Sequence, residues 1–320
     1  MALVSVIIPN YNHARYLPQR INSVLNQTYQ DFELIILDDF STDGSREVIE
    51  QYRNHPKVSH VVFNEVNSGS TFKQWKKGIE LSSGDYIWLA ESDDYAGDVL
   101  LDTLMKPLET DENVLLSYCQ SLIVDENNDA LFLCDWADPL DKDKWKHDHI
   151  EDAEKELDSY LRYRNTIPNA SAVVFRKPKD LSVFDDIVGM KFSGDWLFWK
   201  RQLSRGGKIA FSQLVLNFFR MHPQTTRHLL SMEKEKQRVK ELSLFVDQDS
   251  YSVFDKRYDW MLIFWFEHRS AYKGTLQYFI PGFPVKMQIR TYILVLDKIL
   301  KRIKKSLFPL MPVKTQYQSS

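Results

Sequence analysis

Short runs of branched and aromatic residues alternate with amphipathic stretches along the first hundred positions. Val4 to Ile8 is an apolar run closed by Pro9 and reads as a strand buried on both faces. The turn-like Asn10-Tyr11-Asn12-His13 follows. A helix comes next, with Leu17, Ile21, Val24 and Leu25 on one face and Pro18 near its first turn. Phe32 to Leu37 is a second strand ending in Asp38-Asp39. Ser41-Thr42-Asp43 then offers capping oxygens to a helix carrying Val48, Ile49 and Tyr52. Val58 to Phe63 is a third strand. Phe72, Trp75 and Ile79 mark a third helix, stopped by Gly84, and Tyr86 to Ala90 a fourth strand. Strands alternating with helices predict a doubly wound, Rossmann-like α/β sheet, whose ligands lie beyond the carboxyl ends of the strands.

The later pattern is less regular. Val99 to Leu108 reads as a helix ended by Pro107, and Val114 to Ser121 and Leu131 to Cys134 as strands around a turn at 125–129. Residues 135–164 mix charge with Trp136, Trp145, Tyr160 and Tyr163 and read as a loop followed by a helix. Ala170 to Arg176 is a strand preceded by the turn Ile167-Pro168-Asn169. A helix starting near Asp195 puts Trp196, Trp199 and Leu203 on one face and ends at Gly206-Gly207. Leu214 to Arg220 is a last strand, running into His222. Ser231 to Val246 reads as a charged helix, and Trp260 to Phe266 is strongly apolar.

Three predicted strand ends share one rim: Pro9-Asn10-Tyr11, Asp38-Asp39 and Glu91-Ser92-Asp93-Asp94. A buried strand running into three carboxylates within four residues needs a crevice, and the charges repel unless a cation sits among them. Asp93 is the expected metal holder. The plainer alternative is a polar loop that caps a strand. Neither a G-x-G-x-x-G nor a G-x-x-x-x-G-K-[ST] loop occurs, so a diphosphate would need a metal in place of a nest of backbone N–H groups.

Composition narrows the class. The net charge of −3 argues against nucleic acid as a partner, and aromatic residues make up 13% of 320, enough for a large core and for clefts. Two cysteines, Cys119 and Cys134, are too few for a disulfide framework or a zinc site and point to a reducing, cytoplasmic setting. No signal peptide is expected, and no apolar run reaches the roughly 18 residues of a membrane span.

The first hundred residues resemble a family 2 glycosyltransferase of the GT-A fold. The likeness rests on VSVIIPNYNHARYLPQRINSVLNQTYQDFELIILDDFSTDGS and NSGSTFKQWKKGIELSSGDYIWLAESDD, with the order P-x-Y-N, hydrophobic-DD-x-STD, N-x-G and GDY-x4-ESDD. It implies a mixed, largely parallel sheet flanked by helices, a nucleotide-sugar donor (UDP favoured), and a divalent metal, Mn2+ or Mg2+. By motif, Pro9, Tyr11 and Asn12 would line the base pocket. Asp38, Asp39, Asn67, Glu91 and Ser92 would complete nucleotide binding, Asp93 would hold the metal, and Asp94 would stand beside it. Two residues depart from the family pattern: Glu91 replaces an Asp, and Phe40 replaces the Gly after the DD pair.

The resemblance also implies roles downstream. An acid followed by Trp is the family's general base, which is Asp195 here; direct displacement at the anomeric carbon requires such a carboxylate and inverts configuration. At a helix N-terminus it stays ionised. Asn169, in the turn before its strand, and Trp196 would lie beside donor sugar or acceptor. His222 becomes a further metal ligand, its imidazole favouring Mn2+ over Mg2+, with Arg220 or Arg227 as phosphate partner. A lone histidine after a strand is otherwise structural.

These readings divide the chain into a catalytic domain over 1–228 (nucleotide half 1–98, acceptor half 99–228) and a helical region over 229–320. Oligomerisation is an open reading of the latter. At its end Ile299, Leu300, Ile303 and Leu307 share a helical face opposite Lys and Arg, which suits either peripheral attachment to an anionic inner membrane face or a packed helix with a solvated basic face. The acceptor would be a carbohydrate or lipid-linked saccharide of bacterial surface-polysaccharide assembly. The rivals are an inactive nucleotide-sugar-binding scaffold and a nucleotidyltransferase, although the latter's basic Gly-rich loop is missing after strand one.

Overall fold

The computed structural model describes residues 3–223, 232–245, 256–260, 262 and 285–307. Two compact units divide the chain, 1–230 and 231–320. The first begins as the apolar pattern predicts: β1 (Val4–Asn10), α1 (Leu17–Leu25), β2 (Phe32–Asp38), α2 (Ser45–Glu50), β3 (Val58–Phe63), α3 (Thr71–Leu81) and β4 (Tyr86–Leu89). β1 pairs in parallel with β2 and with β4, and β2 in parallel with β3. Val4, Val6, Ile7 and Ile8 of β1 are fully buried because helices cover both faces of the strand. Gly78 of α3 lies against Ile7, where a Cβ would meet Ile7 Cγ2 at 2.4 Å. That close approach seats α3 on the sheet.

The second half is a mixed sheet. After β5 (Tyr95–Ala96) come α4 (Leu100–Thr110), β6 (Val114–Val124), β7 (Ala130–Leu133), β8 (His149–Asp152), α5 (Ala153–Glu156), β9 (Val173–Arg176), α6 (Gly194–Leu203) and β10 (Lys208–Arg220). The strand order is β3-β2-β1-β4-β9-β6-β10-β5, with β7 on β6 and β8 on β10. β9 is antiparallel to both β4 and β6, whereas β6 and β10 are parallel. β9 therefore joins the parallel strands β1–β4 to the second half of the sheet.

Several boundaries differ from the sequence reading, each for a physical reason. Pro107 does not end α4 but sits inside its last turns, because the helix is held by buried Leu100, Leu101, Leu104, Met105 and Leu108. β10 runs from Lys208 rather than Leu214; register shifts around 212–217 hide the alternation that would have extended it backwards. Residues 135–164 contain β8, a strand whose one apolar residue, Ile150, is exposed and whose pairing with β10 is purely tertiary.

In the second unit α7 (Met232–Ser243) and α8 (Val285–Leu307) are the described α-helices. Arg290 of α8 makes a two-pronged ion pair with Asp259, Nε to Oδ1 at 3.0 Å and Nη2 to Oδ2 at 2.7 Å. Most of the apolar stretch at 260–266 lies outside the described residues.

Candidate active site

The rim predicted from the strand ends exists. Asn10 pairs with Asp38 across β1 and β2, and Asn10 Nδ2 donates to Asp38 Oδ1 at 2.9 Å. Asp38 also receives the Ser41 N–H and the Arg46 guanidinium. Asp39 is more heavily used: Oδ1 accepts from Asn64, the Ser68 N–H and Gln74, and Oδ2 from the Ser68 hydroxyl. Asn67 Nδ2 donates to the Asp39 carbonyl at 3.0 Å. The two aspartates thus pin the loops after β2 and β3, and Tyr11 and Phe40 stand exposed above them.

Asn12 and Phe40 both have left-handed backbones, with φ of 57° and 65°. Asn12 gains from it: its N–H donates to Ser41 Oγ and its Oδ1 accepts from Thr42 N. At position 40 the family pattern has Gly, which adopts this conformation without strain. Phe40 takes it with its ring against Arg46, 5.5 Å from the guanidinium carbon.

The carboxylates after β4 occupy three different environments. Asp94 is buried; its Oδ2 accepts from Asn169 Nδ2 at 2.9 Å and Ser171 Oγ at 2.7 Å, and its Oδ1 from the Arg220 N–H at 2.9 Å. Burial and the neighbouring Asp93 charge push its carboxyl up to about 6. Glu91 takes the Trp75 indole N–H on Oε1 at 2.7 Å, and burial followed by the charge of Asp93 pushes it to about 8. Asp93 goes the other way. Burial opposes its ionisation, but His13 and the hydrogen bond with His222 hold it down at about 2.

Asp93 is the point where three ligand-type side chains meet. His222 Nε2 is 3.1 Å from Asp93 Oδ2, and His13, Asp93 and His222 each present a ligand atom within 4.8 Å of the others. This is the metal-type cluster found among the described residues. His13 Nδ1 lies 2.8 Å from Ser92 Oγ, which fixes its ring, and burial lowers its pKa and so favours neutral imidazole. A carboxylate that stays ionised, a neutral imidazole and a nearby excess of buried acid form a donor set that fits a divalent cation of the Mn2+ type. His13 was missed by sequence reasoning. The available signal was an imidazole two residues past Tyr11 on the predicted rim.

Asp195 lies in the first turn of α6, and Asn165 Nδ2 donates to its Oδ2 at 3.0 Å. Asn165 Oδ1 accepts the Ile167 N–H, so the amide is oriented from both ends. The N-terminus of α6 is held against α3. A Cβ on Gly194 would come within 2.5 Å of Phe72 Cε2, and Trp75 touches the rings of Phe198 and Trp199. Trp75 therefore links the helix bearing Asp195 to Glu91.

The family model for glycosyl transferase family 2 matches residues 5–157. Over those residues the chain carries a glycosyl transferase family 2 domain. It is similar to the glycosyltransferase GlyG of Streptococcus pneumoniae, 34% identical over 115 residues that cover 36% of this chain and 38% of that one. The chain thus spans little more than a third of the length of this curated relative. Staphylococcus aureus TarS (residues 1–349, in complex with UDP-GlcNAc) superposes with a TM-score of 0.60 at 18% identity, covering 93% of this chain and 92% of TarS. A mannosyltransferase from Pyrobaculum calidifontis, solved with GDP-Man and Mn2+, gives 0.54 at 14% identity, covering 97% and 81%. These likenesses establish the GT-A fold.

Beyond the matched residues, three side chains expected at the ligand are committed to protein instead. Arg220 donates to the Asp93 carbonyl, the Asp125 carbonyl, Asn128 Oδ1 and Gln19 Oε1, and its plane lies over Tyr16 and Tyr95. A buried guanidinium with four of its five N–H donors on protein ties loops together. Asn169 is buried between Asp94 and the Ser171 N–H, not turned toward a sugar. Trp196 is buried with its indole N–H on the Leu161 carbonyl at 2.6 Å and anchors α6. Pro9 is buried in β1, Ser92 serves His13, and Arg227 lies outside the described residues.

Proposed function

We propose that this chain is an inverting, metal-dependent transferase that moves a sugar from a nucleotide sugar to a saccharide or lipid-linked acceptor of a cell-surface polymer. The observation that carries the proposal is the meeting of His13, Asp93 and His222 at the end of β4. Such a set holds a divalent cation at the place where nucleotide-binding sheets present their ligands. The cation would be Mn2+ or Mg2+, with the imidazoles favouring Mn2+, and when bound it would supply Lewis-acid stabilisation of a leaving diphosphate.

The chain's own residues do the rest. Asp195, aligned by Asn165, accepts the proton of the acceptor hydroxyl. The new bond joins that oxygen to the anomeric carbon, the bond from that carbon to the diphosphate oxygen breaks, and the nucleoside diphosphate leaves with the electron pair. Tyr11 and Phe40, exposed beside Asp38 and Asp39, offer rings to a base. UDP as the nucleotide is favoured by TarS, which was solved with UDP-GlcNAc, and a surface polymer by its name as a poly(ribitol-phosphate) transferase.

The test is a thermal-shift panel of nucleotide sugars with and without Mn2+, followed by a nucleoside-diphosphate release assay on the stabilising donor. A Mn2+-dependent rise in melting temperature with at least one donor is expected, together with release that Asp195→Asn reduces by about 10²–10⁴-fold while donor binding persists. Donor binding that ignores Mn2+ and survives Asp93→Ala would remove the metal role. Near-normal turnover of Asp195→Asn would remove the base.

A further inference from the structure

Helix α8 carries an apolar stripe on its exposed side. Ile289, Ile293, Leu296, Ile299, Leu300 and Ile303 are each 48–59% exposed. At 100° per residue they fall within about a third of the helix circumference, and from the first to the last of them the axis rises about 21 Å. Tyr292, 40% exposed, lies on the same stripe. The helix does have a packed side. Met287 and Thr291 are buried, and Arg290 is pinned to Asp259 by the two-pronged ion pair. The stripe is therefore a second apolar face, distinct from the one that anchors α8 in its own unit.

The charge of the helix selects what covers this face. Its sequence VKMQIRTYILVLDKILKRIKKSL holds seven Lys and Arg against the single acid Asp297, and five of the seven lie within 298–305. A second copy laid parallel along the stripe would bring two such basic segments together. An anionic surface would be attracted to them. No helix among the described residues is long and apolar enough to cross a membrane. A helix that combines a continuous apolar stripe, a clustered excess of cations and too many charges to span has the properties of one lying in the plane of an anionic bilayer.

We propose that α8 is an interfacial helix that docks this protein on anionic lipid, with Leu296, Ile299, Leu300 and Ile303 entering the acyl boundary and the 298–305 cations meeting the headgroups. Nothing in this inference depends on the transferase reading, since it concerns the second unit alone.

The experiment is flotation of the full chain with vesicles of phosphatidylcholine containing phosphatidylglycerol, against phosphatidylcholine alone. Binding to the anionic vesicles is expected to exceed binding to neutral ones by tenfold or more, and to fall by about tenfold near 1 M salt, where screening acts over about 3 Å. Leu296→Asp with Leu300→Asp should abolish flotation at unchanged melting temperature, because both side chains are exposed. Lys301→Gln with Lys304→Gln should lower it and flatten its salt dependence. Failure of the wild-type chain to float, or flotation that survives the Leu296→Asp, Leu300→Asp change, would overturn the proposal. Sedimentation velocity without lipid closes the remaining route: concentration-dependent self-association abolished by the same double change, with no flotation, would assign the stripe to a second copy of the chain.

Discussion

The Trp75 indole donates to Glu91 Oε1 at 2.7 Å while its ring touches Phe198 and Trp199 of α6. One side chain of α3 thus meets both the acid that departs from the family pattern and the helix bearing the candidate base. Removing the donor leaves a buried acid short of a partner, which costs about 1–3 kcal/mol. Trp75→Phe should lower stability by that amount in urea denaturation at pH 7. Glu91→Gln keeps an acceptor for the indole and should cost less. Wild-type stability of Trp75→Phe would mean that the contact contributes nothing.

Asn165 is a positioning residue for Asp195. Loss of its hydrogen bond removes one of the contacts that orient the carboxylate. Asn165→Ala should reduce kcat by about 10–100-fold with donor KM within about twofold. Asn165→Asp, which keeps an oxygen for the Ile167 N–H but loses the amide donor, should show the same split. A lower melting temperature with unchanged kcat would make Asn165 merely structural.

Arg220 separates fold from ligand binding. With its donors on four protein acceptors and its plane between two tyrosines, Arg220→Met should destabilise by about 3–5 kcal/mol, as loss of one member of a buried charged network does. That loss should appear in ligand-free protein. Normal stability with weakened nucleotide affinity would return Arg220 to the diphosphate.

Glu33 gives the fold an acid-sensitive tie. Burial opposes its ionisation, but hydrogen bonds from Ser5, Ser59 and Ser83 outweigh it and hold the carboxyl down at about 2. Ser5 Oγ donates to Oε1 at 2.5 Å and the Ser83 N–H at 2.7 Å, joining β1, β2 and the loop before β4. A folded value below the unfolded one means stability that is full above the unfolded carboxyl range, near 4.5, and lost as pH falls toward 2. The half-exposed site is screened, so Glu33→Gln should cost about 1–2 kcal/mol at pH 7. The gap from wild type in denaturant midpoints should close between pH 4.5 and 2. A gap independent of pH would exclude this linkage.

The first half of the sheet was legible because its information is local. β1 to β4 are continuous apolar runs buried on both faces, and α1 and α3 carry single apolar stripes, so period and punctuation alone delimit them. The carboxylates after β4 were visible for the same reason, since buried strands do not end in Glu and Asp without a use for them. The mixed half was harder. β8 and the first part of β10 are strands because they pair with each other, and no window of sequence contains that partnership.

Within the site, residue types came from the chain and their roles from the fold. The sequence by itself determined a sheet that ends in acids, an acid at the start of a Trp-bearing helix and a basic amphipathic terminus, since each is written in adjacent positions. Only the tertiary structure distinguished Asp93, facing two imidazoles, from Asp94, closed in by Asn169, Ser171 and Arg220. The physical reason is that a carboxylate's chemistry depends on desolvation and on the donors that reach it. Those donors arrive from residues 13, 169, 171 and 220–222, brought together by the long-range packing of β1, β4, β9 and β10.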